Sequence, residues 1–344
     1  MPSTAPVGGV TPVTVLTGFL GSGKTTLLNA LLRDPRYADT AVLVNEWGEV
    51  AIDHALVRSS SENIVTLPGG CICCRVAGEL LGTLRELHFR RAAGTVAPFR
   101  RVVIETTGLA DPAPLLATLI EMPAVAARYS LAGVVCTVDA EHGMATLDAH
   151  PEAVKQVAMA DRIVVTKADR ADAARIAALE ERLRALNPGA RMLRKGLEDL
   201  PDPALLLDTG LYRGEGRIAD ARGWLNAGAY RRAGAPAAAR HDPRIRSFAW
   251  TGEEPFERED LETALETLVQ LLGERILRLK GLVHVRGEPG PLAIHAVQHT
   301  LYPAARLPAW PDEDRRTRIV FIGRDLEESA IDSIFQPFRH PPPR

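Results

Sequence analysis

The sequence predicts an α/β protein, with a mostly parallel sheet covered by helices on both faces, followed by a smaller α+β domain. Three observations carry this prediction. Short runs of β-branched and apolar residues alternate with stretches whose apolar residues recur at helical spacing, the signature of parallel strands joined by crossover helices. The first run ends in a glycine-rich loop, Gly18-Phe-Leu-Gly-Ser-Gly-Lys-Thr25, from which a helical pattern starts at once. After about residue 195 the alternation decays, and several strand candidates and two helices follow beyond residue 240.

Taken in order, residues 1–11 are small, Pro- and Gly-containing and aperiodic, and read as a loose leader. The strand from Val13 then feeds the spacing G-x-x-x-x-G-K-[ST]. In such a phosphate loop, glycines let backbone N–H groups close around phosphates, and a helix N-terminus adds partial positive charge. Gly18, Gly21, Ser22 and Gly23 form the cradle, Lys24 reaches the β- and γ-phosphates, and Thr25 offers its hydroxyl to Mg²⁺. Ala41-Val-Leu-Val-Asn45 is a buried strand followed by the loop Glu46-Trp-Gly-Glu49, and residues 62–67 form another short strand. Pro68-Gly69-Gly70 breaks the chain before Cys71, and leucines at 80, 81, 84 and 87 mark a helix over 75–91.

Arg101-Val-Val-Ile-Glu105 is the next strand, leading into Thr-Thr-Gly108 and a helix that begins near Pro112. A strand over 131–139, a helix over 150–160 and a strand over 163–166 complete the pattern, the last running into Lys167-Ala-Asp169. Residues 12–210 are thus expected to form a nucleotide-binding domain and 211–240, rich in Gly, Ala and Arg, a linker. In the second domain, 241–344, strands are expected over 245–250, 276–285, 291–301 and 318–322. Helices are expected over 257–272 and 325–335, the latter capped by Asp325.

Composition narrows the partners. With 41 Lys plus Arg against 43 Asp plus Glu, no net field recruits nucleic acid or a membrane surface. No apolar run approaches the roughly 20 residues of a membrane span, so a cytoplasmic location is expected. Three of the four cysteines fall between 71 and 74, which suits a metal site in a reducing compartment better than a disulfide framework.

Ligands of a parallel sheet sit at the carboxyl ends of its strands, where Gly18, Glu46, Glu105 and Lys167 all fall. Glu105 is placed to serve Mg²⁺ and Gly108 to approach the γ-phosphate. In Thr166-Lys-Ala-Asp169, the Asp169 carboxylate can accept from the two donors of a guanine edge while the Lys167 stem packs on the ring, which adenine cannot reciprocate. Cys71, Cys73 and Cys74 supply three soft thiolates that favour Zn²⁺ or Cu⁺ and leave one tetrahedral position open, with Glu49 as a fourth, harder ligand. Cys136, inside an apolar strand, belongs to the core. Glu46, Glu49 and Glu105 are the candidates for orienting the attacking water.

The segments TGFLGSGKTTLLN, NEWGEVAID, GCICC, ETTGLADP and TKAD, in this order, resemble the CobW family of GTP-dependent metallochaperones. RILRLKGLVHV and RTRIVFIGRD resemble that family's C-terminal domain, so the likeness spans nearly the whole chain. The resemblance implies a phosphate-loop NTPase fold in which residues 21–26, including Thr26, hold phosphates, Thr25 and Glu105 serve Mg²⁺, and Lys167 with Asp169 reads guanine. It also implies that Cys71, Cys73 and Cys74 hold the transported metal. GTP hydrolysis would drive delivery of zinc to a client metalloprotein. Cobalt or iron insertion, for cobalamin synthesis or nitrile hydratase activation, is the alternative within the family. The rivals are a nucleotide-responsive metal buffer or sensor and a phosphotransferase with a small acceptor; homodimerisation is a further expectation. The histidine-rich stretch common in the family is absent, and Trp47 stands where phenylalanine is usual.

Overall fold

The computed structural model describes residues 9–45, 64–67, 76–196, 201–207, 221, 224–233 and 244–338. Among these, seven strands form one wholly parallel sheet in the order β3-β2-β4-β1-β5-β6-β7. They are β1 (Thr11–Gly18), β2 (Thr40–Asn45), β3 (Ile64–Leu67), β4 (Arg101–Glu105), β5 (Tyr129–Asp139), β6 (Arg162–Thr166) and β7 (Arg191–Arg194). Strand β1 begins at the last residue of the stretch read as leader. The central strands are buried on both faces, which is why they read as continuous apolar runs rather than alternating ones.

Alternation shows instead in which core each residue joins. Val13 and Val15 of β1 pack with Leu80, Leu84 and Leu116, whereas Leu16 packs with Leu27, Leu28 and Leu31 on the other face. The first face is covered by α2 (Val76–Ala92), α3 (Ala113–Glu121) and α4 (Pro123–Ala126), with α5 (Gly143–Ala149), α6 (Pro151–Met159) and α7 (Ala173–Leu186) beside β5 and β6. The second carries α1 (Lys24–Leu32) and α8 (Pro203–Leu207). Helices α5 and α7 and strand β7 are among the elements absent from the sequence reading. Helix α5 is only seven residues long, too short for its periodicity to register, and β7 reads Arg-Met-Leu-Arg on the sheet edge.

A second, antiparallel sheet runs β11-β10-β9-β13-β8, with β12 pairing β10. Its strands are β8 (Ile245–Gly252), β9 (Ile276–Val283), β10 (Leu292–Val297), β11 (Thr300–Leu301), β12 (Ala305–Arg306) and β13 (Thr317–Arg324). The stretch 291–301, expected as one strand, is two, because Gln298 turns the chain at φ 50°. One face packs on α10 (Arg258–Leu272) and α11 (Glu328–Phe335), our labels following α9 (Ala227–Ala233). Asp325 does not cap α11. It sits in a turn at φ 49° with its N–H on the Arg244 carbonyl, and the helix starts three residues later after Glu327.

The other face of this sheet meets the first domain. Leu277, Leu282, Ala293 and Val320 pack with Ala158, Trp224 and Tyr230, so part of the stretch expected as linker is built into the seam. At its centre Asp161, 3% exposed, takes hydrogen bonds on one carboxylate oxygen from Arg278 and from Lys280 (2.8 Å) and on the other from the Val134 N–H (2.9 Å). Burial alone would push this carboxyl up, but the two cations more than offset it and hold Asp161 well below the usual carboxylate range. Arg278 also donates to the Met159 carbonyl at the end of α6. Asp161 precedes β6, so this seam lies at the opposite pole of the parallel sheet from the strand ends that carry Gly18 and Glu105.

Candidate functional site

The loop between β1 and α1 closes as its glycines require. Gly21 and Gly23 have φ of 70° and 88°, and Gly23 is the N-cap of α1. Gly18 is fixed by packing as well, since a Cβ there would lie 2.3 Å from the Thr137 hydroxyl oxygen of β5. The Ser22 and Thr137 hydroxyls share a 2.7 Å hydrogen bond that ties the loop to that strand. Lys24, 8% exposed, curls back to donate to the carbonyls of Gly18 (2.8 Å) and Phe19 (3.2 Å), so its ammonium lies over the loop's own backbone. Thr26, one residue after Thr25 in the first turn of α1, is exposed.

The carboxylate expected at the end of β4 is where the sequence put it. Thr25 donates from Oγ1 to Glu105 Oε1 at 2.7 Å, bringing a hydroxyl and a buried carboxylate from two elements to one point. This all-oxygen donor set fits Mg²⁺, which prefers hard ligands and retains several waters. Beyond Glu105, Thr106 donates to the Thr17 hydroxyl (3.0 Å), and Gly108 packs so tightly on the phosphate loop that a Cβ would lie 2.5 Å from the Leu20 nitrogen.

The third segment, after β6, is joined to the first through Thr166, whose hydroxyl donates to the Ser22 carbonyl at 2.7 Å. That hydroxyl therefore shapes the loop instead of facing a base. Lys167 adopts φ 53° and donates from Nζ to Asp139 Oδ2 at 2.6 Å, while Asp169 stands exposed in the short 3₁₀ turn Ala168–Arg170. Burial pushes the Asp139 carboxyl up, but the Lys167 contact and the Glu141 N–H more than offset this and keep it low. A cavity of about 210 Å³ flanks the phosphate loop between Leu20, Asp139, His142, Gln156 and Lys167.

Gly18, Gly21, Ser22, Gly23, Lys24, Thr25, Glu105, Gly108, Thr166, Lys167 and Asp169 thus lie at or just beyond the carboxyl ends of β1, β4 and β6. Glu46, Glu49, Cys71, Cys73 and Cys74 lie outside the described residues. Cys136 is buried as expected, its thiol pushed up to about 12 by that burial. Sequence reasoning missed Asp139, although it ends an apolar strand as Glu105 does, and missed Gln156, a polar residue on the buried side of α6.

Comparison with known proteins agrees with this geometry. Residues 12–194 match the family model described as CobW/HypB/UreG, nucleotide-binding domain, and residues 245–339 match the cobalamin synthesis protein cobW C-terminal domain. The chain is 35% identical to the zinc chaperone YjiA of Escherichia coli over 95% of its own length and 98% of that protein's. It is 30% identical to the zinc chaperone CobW of Pseudomonas aeruginosa, over 93% and 89%. The crystal structure of the Zn(II)-bound YjiA GTPase from E. coli superposes with a TM-score of 0.68 at 29% identity, covering 96% of this chain and all of that one. With a glycine loop and a strand-end carboxylate at the carboxyl ends of adjacent parallel strands, and both domain models matched in order, the chain belongs to the CobW family.

Proposed function

We propose that this protein is a GTPase that binds zinc and delivers it to a client metalloprotein. The observation that carries the nucleotide half is the Thr25–Glu105 pair beneath the phosphate loop, together with the exposed Asp169 carboxylate in the turn after β6. Lys24 and the α1 N-terminus would neutralise phosphate charge, and Asp169 would select guanine. Mg²⁺ held by Thr25 and Glu105 would neutralise charge on the transferred phosphoryl group. Glu46 is assigned to the attacking water by its place after β2.

The zinc half rests on the named activities of the E. coli and P. aeruginosa relatives and on the Cys71-Ile-Cys-Cys74 segment. Cys71, Cys73 and Cys74 are assigned as zinc ligands, with Glu49 as the fourth. In sequence the segment falls between β3 and α2, and β3 belongs to the same parallel sheet as the strand that ends at Glu105, which supports a link between nucleotide state and metal binding. We further assign the chain to the cytoplasm, as a homodimer, with residues 12–210 as nucleotide domain and 241–344 as second domain. Among the described residues no helix is long and apolar enough to cross a membrane.

The test is a Zn²⁺ titration with GDP and with a non-hydrolysable GTP analogue, with Cys73→Ser as control. Coupled delivery predicts affinities that differ by roughly 5- to 150-fold between the two nucleotides, with the reciprocal effect of zinc on GTP affinity. Equal affinities would leave a metal buffer.

A further inference from the structure

We propose that Gln156 is a positioning residue for GTP hydrolysis, holding the Gly108 loop in place against the phosphate loop. The proposal rests on the GTPase reading above. Gln156 lies on α6, more than forty residues from the loop it serves, and its side chain is 1% exposed. Its single amide nitrogen donates to two backbone carbonyls, Gly108 at 3.2 Å and Ala110 at 3.0 Å. Two carbonyls separated by one residue, fixed by one donor group, set the Gly108–Leu109 and Ala110–Asp111 peptide planes.

The loop so held is the one that must be placed accurately. It leaves β4 immediately after Glu105, and Gly108 approaches the phosphate loop too closely to admit a Cβ. Next to Gln156, Lys155 forms a 2.8 Å ion pair with Asp111, so two consecutive residues of α6 grip this loop. The helix is itself tied at its C-terminal end. Asn187 donates from Nδ2 to the carbonyls of Val157 (2.8 Å) and Ala160 (2.9 Å), and Arg278 of the second domain donates to Met159. Gln156 is therefore a fixed post from which the loop hangs.

A core-filling role does not account for this side chain. Ala153, Val154 and Val157 show that apolar residues satisfy the buried side of α6, and a buried glutamine there is unfavourable unless its polar atoms are used. Only the donor half of the amide is used. Oε1 is buried and makes no hydrogen bond among the described residues, and Gln156 lines the cavity beside Leu20 and Gly21. The geometry selects for the N–H group aimed at the loop.

Two variants test this with the full-length protein, GTP and Mg²⁺. Gln156→Met keeps the volume and removes both donors; Gln156→Glu keeps the shape and replaces the donor by a carboxyl that can donate only when protonated. Both should lower kcat for phosphate release by at least about tenfold while GDP affinity stays within about threefold, since Gly108 is assigned to the γ-phosphate, which GDP lacks. Relative to wild type, the rate of Gln156→Glu should rise as pH falls from about 8 to about 5.5, and that of Gln156→Met should not. Hydrolysis within about twofold of wild type in both variants overturns the proposal. So does a loss of kcat matched by equal losses in GDP affinity and melting temperature, which is what a merely structural residue gives. Wild-type protein that releases no phosphate removes the GTPase reading as well, whereas active wild type with indifferent variants removes this proposal alone.

Discussion

Lys24 lies across the carbonyls of Gly18 and Phe19, a placement from which a small rotation brings its ammonium onto phosphate oxygens. Lys24→Ala is expected to reduce GTP hydrolysis by at least about 100-fold and to weaken nucleotide binding, read by phosphate release and nucleotide titration. Wild-type rates would remove the phosphate-loop assignment. Asp169 is exposed, so Asp169→Asn should leave stability unchanged while lowering the GTP-over-ATP preference by about tenfold or more, measured by competition binding. These residues were legible because their chemistry is bound to a local spacing: a lysine and threonine after a glycine loop, a carboxylate three residues beyond a strand. The contacts of Thr166, itself a sequence-predicted site residue, and of Gln156 were not. Their partners, the Ser22 carbonyl and the Gly108 loop, lie 144 and 48 residues away, and nothing in either neighbourhood marks the pairing.

At the scale of elements, the close contact of the β4–α3 loop with the β1–α1 loop makes a specific demand. Gly108→Ala forces the Leu20 backbone to move, because the added carbon would lie 2.5 Å from its nitrogen. The expected cost is about 1–3 kcal/mol in urea unfolding, accompanied by a larger relative loss of hydrolysis than of GDP binding. An unchanged rate would mean that this contact opens before reaction. The central strands could be read because burial on both faces makes them continuous apolar runs, and α2 and α10 because their periodicity persists over about four turns. The misread elements share a cause. The Gln298 turn that splits β10 from β11 and the Asp325 turn that delays α11 both use positive φ at non-glycine residues, conformations without a strong sequence signature.

At the scale of the whole molecule, the seam around Asp161 joins the two sheets through charge rather than apolar packing alone. Asp161→Ala leaves Arg278 and Lys280 buried without the carboxylate they share and is expected to cost about 3–5 kcal/mol, measured by denaturant melts. The pH dependence has a definite sign. Because the folded state holds Asp161 well below its ordinary value, the unfolded chain takes up the proton first on acidification. The contribution is complete above about pH 5 and is lost as pH falls below about 4, so Asp161→Asn should flatten the acid limb of the melting curve. An identical limb in the variant would assign acid sensitivity to other carboxyls. The same seam restricts which halves can be combined. A chimaera joining this first half to a relative's second half would seat only if the incoming strand carried cations in register with Arg278 and Lys280. For this chain each half is thus expected to recombine only with a half that completes this one ionic address.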